Sequence, residues 1–292
     1  MSVETQKFVR PGRSKGLLEV FQKQYLLSLL VHKELRVRYR GSVLGMLWSY
    51  AKPAVQFLVF YFAIGMFMGM NRNIENYVIY MFAGVVAINF FTEIFNNDTR
   101  SVVWNTPLVK KIYLPRELFP VASAWVAFIH FIPQLVILTV GALIAGWRPG
   151  IIEFGVFIYA FFIVTVFALG LGLLAGALNV FFRDAENFVE LMLMVATWSS
   201  PVLYKWSMVQ HALGADSWLW TLYQLNPLTV VVELFHYVFW APTLPADSAA
   251  KADIMPPDMW FWAGIAGVTA VVTLLIGELV FRKLDPRFAQ EL

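Results

Sequence analysis

The stretch IIEFGVFIYAFFIVTVFALGLGLLAGALNVFF, residues 151–182, decides the class of this protein. Its one charge, Glu153, sits near the start, and nothing after it interrupts the apolar run. A helix needs about 20 mostly apolar residues to cross a bilayer. This run is longer, so it tilts or projects beyond the hydrocarbon. Working outward, five more segments share its character: about 53–70 (starting as early as 44), 77–95, 118–147, 188–204 and 259–281. A seventh apolar stretch, 227–240, is fourteen residues long. That length suits a re-entrant or interfacial segment better than a span. The expectation is an all-α integral membrane protein with six transmembrane helices.

Composition agrees. Of 292 residues, 59% are hydrophobic and 14% charged, with a mean hydropathy of +0.66. A soluble domain carries roughly 25% charged residues, so too few polar side chains remain to cover a water-facing surface. There is no cysteine, which excludes a disulfide framework and Cys-based metal sites. The polar, basic N-terminal region argues against a cleaved signal peptide. No internal repeat or low-complexity tract is evident.

Lys and Arg counted by loop give the orientation. With a cytoplasmic N-terminus, 18 of the 22 fall inside and four outside (Arg72, Arg148, Lys205 and Lys251). Both termini are then cytoplasmic, which six spans satisfy. Residues 1–43 form a cytoplasmic N-terminal segment and 44–292 the membrane domain. Within the first, Leu17, Leu18, Phe21, Tyr25, Ser28 and Leu29 recur at helical spacing, with Lys15, Glu19 and Lys23 on other faces. This reads as an amphipathic helix along the cytoplasmic leaflet; the alternative is an ordinary cytosolic helix packed on protein.

At KELRVRYRGSVLGMLWSYAKP (33–53), the residues Arg36, Arg38, Tyr39, Ser42, Leu44, Gly45, Trp48 and Pro53 match a signature. It resembles the membrane subunit of ATP-binding cassette exporters for O-antigen, teichoic acid and related cell-envelope polysaccharides. NTPLVKKIYLPRELFP (105–120) resembles that family's cytoplasmic coupling helix, within a coupling loop at about 98–117. SSPVLY (199–204) and LNPLT (225–229) resemble its external gate region, within 205–258. The resemblance implies a homodimer with two copies of a cytosolic ATPase on separate chains, which carry the ATP and Mg. It implies outward movement of a polyprenyl-diphosphate-linked polysaccharide across the bacterial inner membrane. No cofactor is expected on this chain, and no nucleic acid. The sequence itself has no GxxxxGK[ST] loop to cradle ATP phosphates. The nearest glycine string includes Gly172 and Gly176, whose spacing suits close helix packing.

Candidate site residues fall into four groups. Lys33, Arg36, Arg38 and Arg40 sit where a lipid diphosphate arrives, and arginine suits bidentate phosphate binding; simple attraction to anionic lipid is the plainer reading. Lys110, Lys111, Leu114, Pro115, Arg116 and Glu117, with Arg183 and Asp184, suit docking on an ATPase, or a solvated positive-inside loop. Trp48, Tyr50, Phe57, Phe60, Tyr61, Trp198 and Tyr204 offer rings on which sugar C–H faces stack, by analogy with base stacking, though most rings in spans meet lipid or helices. Pro201, Lys205, Trp206, Asn226 and Pro227 mark an external gate, with two short helices dipping into the outer leaflet. Residues 242–257, rich in Ala, Asp and Pro, read as an exposed loop. His130 and Gln134 share one face of the third span, Glu278 near the end of the last span snorkels or pairs with Arg282, and Glu233 and His236 lie three apart in the short external segment. Each reads as a helix–helix hydrogen-bonding group, with a proton relay as the alternative. No zinc site is supported. A drug or small-lipid exporter, and a self-contained membrane enzyme or ion-coupled carrier, remain the alternatives.

Overall fold

A computed structural model describes residues 16–69, 74–112, 114–245 and 247–292. Lys7, Arg10, Arg13, Lys15 and Arg72 of the charge count, Met70 and Tyr113 lie outside these. Among the described residues the chain is helical throughout, and four helices are long and apolar enough to span a membrane. They are α4 (Tyr77–Trp104), α6 (Leu118–Ile144), α7 (Ile151–Phe181) and the last long helix, α12 (Met259–Leu284).

The other two expected spans differ. α3 (Trp48–Val59) carries on through wider π-helical turns, Phe60–Phe67. α8 (Ala185–Ser199) has 15 residues, about 22 Å of helix against the ~30 Å of a bilayer core. It stops at Ser200, where the backbone turns extended before Pro201.

α4 is the centre of the bundle. The most apolar stretch of α4 is 78% buried, against 28% in the last helix. α4 packs along α6 and α7, and α7 packs along α12. Glycine sets the approach at both α7 contacts. A Cβ on Gly172 would lie 2.5 Å from Asp98 Cβ, and one on Gly176 would lie 2.9 Å from the Asp98 carbonyl. Gly170 similarly backs onto Leu274 N, which a Cβ would approach to 2.6 Å. Small residues let helix backbones meet where lipid offers no hydrophobic drive.

The N-terminal helices α1 (Leu17–Gln22) and α2 (Gln24–Arg38) lie at the end of the bundle where α4 finishes, against α6. Val20 and Leu30 are buried there, while Leu18, Phe21, Tyr25 and Leu29 form an exposed apolar stripe. One face of this segment thus packs on protein, and the other is apolar and open. Glu278 accepts the Leu17 N–H at 3.0 Å, so it anchors α1. The same end carries α5 (Thr106–Lys111) and the C-terminal α13 (Phe288–Glu291).

At the opposite end, α9 (Trp206–Leu213) and α10 (Trp218–Leu225) are short helices. They lead into α11 (Pro227–Phe235), which runs on as π turns to Trp240. The seventh apolar stretch thus lies inside, packed on α4, α7 and α12, with every residue from Pro227 to His236 buried. A segment apolar on all sides needs neighbours on all sides, and these helices supply them. The loop after it is pinned as well as exposed: Thr243 and Leu244 are buried, and Ser207 donates to Asp253 at 3.1 Å.

Candidate functional site: a groove along α3 and α4

Along 39–47, between α2 and α3, Val43, Leu44, Met46 and Leu47 are exposed, while Tyr39 and Ser42 face α4 and α6. There they close a cleft of about 680 Å³. Arg38, Tyr39, Trp48, Ser49 and Lys52 line one side, and Asn89, Glu93, Asn96, Asn97, His130 and Gln134 the other. Asn89, Glu93, Asn96 and Asn97 recur at i, i+4, i+7 and i+8, one face of α4.

The centre of the cleft is ionic. Arg38 Nη1 lies 2.7 Å from Glu93 Oε1, and His130 Nδ1 lies 2.6 Å from that same oxygen. The two nitrogens are themselves 2.6 Å apart. A guanidinium N–H and an imidazole N–H thus share one carboxylate oxygen. The His130 tautomer protonated on Nδ1 serves this arrangement, leaving Nε2 to accept from Tyr39 OH at 2.9 Å. Tyr39 OH also contacts Ser49 Oγ. Beside it, Asn89 donates to Gln134 at 3.0 Å. Gln134 and His130 therefore both bond across helices, as expected, and His130 does so within an ionic cluster.

Just outside the spans, Glu34 of α2 takes a hydrogen bond from Ser123 Oγ at 3.3 Å. Burial pushes its carboxyl above the ordinary range, against the lowering effect of Ser123, Lys33 and Arg38.

Gln56 and Asn89 line a second cavity as well, of about 230 Å³, walled by Phe60, Val85, Trp198 and Tyr204. The charged cleft and the aromatic cavity therefore adjoin along α3 and α4. Together they make a groove from the α2 end to the Ser199–Tyr204 turn. Phe57 and Tyr61 line a separate cavity of about 660 Å³ with Glu75 and Gly141, and Phe57 packs edge-on against Phe82. Tyr50 is exposed and lines none of these. The seven aromatic candidates thus divide: Trp48, Phe60, Trp198 and Tyr204 on the groove, the others off it.

The basic candidates divide too. Only Arg38 reaches into the cleft. Lys33 bonds Asn105, while Arg36 and Arg40 are exposed. At that end of the bundle Lys110, Lys111, Arg183 and Asp184 are exposed, but Arg116 turns inward to Asp285 at 2.9 Å and Glu117 is buried. Pro115 is buried and Leu114 half-buried. At the other end Tyr80 OH donates to the Tyr204 carbonyl at 2.8 Å and to that of Pro201 at 3.3 Å. Lys205 sits 5.5 Å over the Trp240 ring and 3.9 Å from Asp253, and Trp206 packs on Trp220. Asn226 caps α11, accepting from Leu228 N at 3.1 Å, with Pro227 in its first turn.

Glu93 and the asparagines of α4 were missed in the sequence, although their helical spacing inside an apolar run was a signal. No group of three or more His, Cys, Asp or Glu side chains converges among the described residues.

The profile of the ABC-2 type transporter family matches residues 25–240. An O-antigen export system permease protein RfbA of Klebsiella pneumoniae is 29% identical over 270 residues, 91% of this chain and 95% of that protein. The namesake from Myxococcus xanthus is 28% identical, over 78% of this chain and 85% of its own. The polysialic acid transport protein KpsM of Escherichia coli is 21% identical, over 71% and 78% respectively.

Proposed function

From the chain's membership of the ABC-2 type transporter family, we propose that it is the membrane subunit of an exporter moving a polyprenyl-diphosphate-linked cell-envelope polysaccharide. The glycan belongs to the O-antigen, galactan or teichoic acid class. The observation that carries this reading is the groove. It begins in a cationic, amide-rich cleft and continues between the rings of Phe60, Trp198 and Tyr204. Amides and charges suit a phosphorylated sugar, and flat rings let successive sugars slide without one tight trap. The relatives named as O-antigen and polysialic acid transporters support the same substrate class.

In this reading two copies of the chain face each other and close the groove into a channel. The exposed apolar flanks of the outer helices face lipid, with six spans in each copy counting α3 and α8. Both termini are cytoplasmic, as the Lys and Arg partition supports. Arg38, with Lys33, Arg36 and Arg40 around the opening, meets the diphosphate. Lys110, Lys111, Arg183 and Asp184 present an exposed charged surface to a separate cytosolic ATPase. Arg116, Glu117, Leu114 and Pro115 hold that surface to the bundle. α9, α10 and the Pro201–Tyr204 turn, with Lys205, Trp206, Asn226 and Pro227, act as the external gate.

Depletion of the protein in its host tests this. Polyprenyl-linked polymer is expected to accumulate on the cytoplasmic side of the inner membrane, and its sugar composition names the substrate. Unchanged glycan pools, with new sensitivity to small hydrophobic compounds, would move the assignment to a drug or small-lipid exporter.

A further inference from the structure

The arginine that faces the groove is already neutralised. Arg38 shares Glu93 with His130, whereas Lys52, on the same cleft, has no carboxylate partner among the described residues. We propose that Glu93 determines specificity: its carboxylate holds the Arg38 guanidinium, so that singly charged phosphodiester lipids are refused and a diphosphate ester is admitted. This rests on the head-group reading above and adds a selection step to it.

The argument is one of exchange. Arg38 is reachable, with its side chain 41% exposed, while those of Glu93 and His130 are 19% and 9% exposed. A phosphodiester brings one negative charge, no more than Glu93 already supplies. Replacing one with the other gains no charge pairing and sets a second anion beside the Glu93 carboxylate, where like charges at close range repel. A diphosphate brings two or more charges. It binds Arg38 through paired oxygens and engages Lys52 at the same time. His130 Nδ1 stays 2.6 Å from the Glu93 oxygen in either exchange, so the two lipids are separated by their charge and by the reach to Lys52. The remaining polar groups of the cleft, such as Asn89, Asn96, Asn97 and Gln134, are neutral and take no part in the charge balance.

The need for such a filter follows from where the site stands. A basic site open to a bilayer attracts every anionic lipid, and bulk phosphodiesters greatly outnumber any lipid-linked intermediate. Specificity is a difference of affinities, and raising the cost of the abundant competitor serves as well as improving the fit of the rare ligand.

The test uses the full-length chain in phosphatidylcholine nanodiscs, with bound lipid counted by native mass spectrometry. The discs carry phosphatidylglycerol or undecaprenyl diphosphate, and inorganic pyrophosphate is added to a third set. Wild type is expected to favour the diphosphate lipid, and Glu93→Gln to bind phosphatidylglycerol about 10-fold tighter, collapsing the preference. Undiminished selectivity in Glu93→Gln would overturn the filter while leaving the head-group site intact. Failure of wild type to bind either diphosphate would overturn both readings. Pyrophosphate bound as tightly as the lipid, with the same collapse in Glu93→Gln, would keep the filter and assign it a soluble diphosphate. Lys52→Ala, at an exposed position, gives a second arm. It is expected to weaken the diphosphate lipid about 10-fold and spare phosphatidylglycerol; equal loss of both would overturn the proposal.

Discussion

Two glutamate–histidine pairs divide this molecule between them. Glu93 and His130 come from different helices, meet at 2.6 Å, and open onto the groove beside Arg38. Glu233 and His236 come from one helix, three residues apart, and lie 3.4 Å from each other at 1% and 0% exposure. Tyr80 stacks on the His236 ring at 3.7 Å. Glu233 Oε1 and His236 Nε2 have no hydrogen-bond partner among the described residues. The same two side chains therefore serve opposite ends. Beside a half-exposed cation on an open cleft, a pair is exchangeable and available to ligand. Sealed among aromatic rings, it is part of the packing, and disturbing it costs stability rather than binding.

The largest effect is expected at the sealed pair. His236→Ala removes the ring stacked on Tyr80 and leaves Glu233 buried without its neighbour, a loss of about 3–5 kcal/mol. The melting temperature of the detergent-solubilised protein should fall sharply, and a wild-type value would erase the distinction drawn above. Arg38→Ala is expected to do the reverse. Export of lipid-linked glycan should drop about 10- to 100-fold through lost charge-assisted bonds. Stability should change by only ~0–1 kcal/mol, because the pair is solvent-screened. A thermal collapse matching that of His236→Ala would make Arg38 structural.

The smallest effect concerns Glu34, which holds α2, and so Arg38, against α6 through Ser123. Burial raises its carboxyl, so the folded protein keeps this proton more tightly than the unfolded chain. Its contribution is therefore present below the ordinary carboxylate range and is lost as pH rises through the raised folded value. Glu34→Gln should flatten the melting temperature across that window. An unaltered pH profile would remove Glu34 from the account of how Arg38 is positioned.

Much of the architecture was legible from local pattern. The helical class and the long apolar segments follow from hydropathy. The amphipathic N-terminal helix follows from the spacing of Leu18, Phe21, Tyr25 and Leu29, which the structure leaves as an open stripe. Gly172 and Gly176 suggested close packing and lie against Asp98. The site was legible only in part. The basic run after α2 pointed to the right place, but four cations there looked equivalent, and only Arg38 turns into the cleft. Arg116 carried the same charge signal as Lys110 and Lys111, yet it is spent on Asp285. Charge is visible in a sequence; its partner is not.

What the sequence determined by itself is a set of sums: residence in a membrane, helical class, and the separation of Lys and Arg to one end. Each depends on composition over one or two dozen neighbouring residues, which bilayer thickness and charge transfer read directly. Tertiary structure decided which polar side chains meet. Arg38 and Glu93 are 55 residues apart, and Glu93 and His130 are 37. Only the packing of α2, α4 and α6 brings them onto one carboxylate oxygen. The same packing folded 227–240 into the core, because an apolar segment too short to span has nowhere else to bury all of its faces.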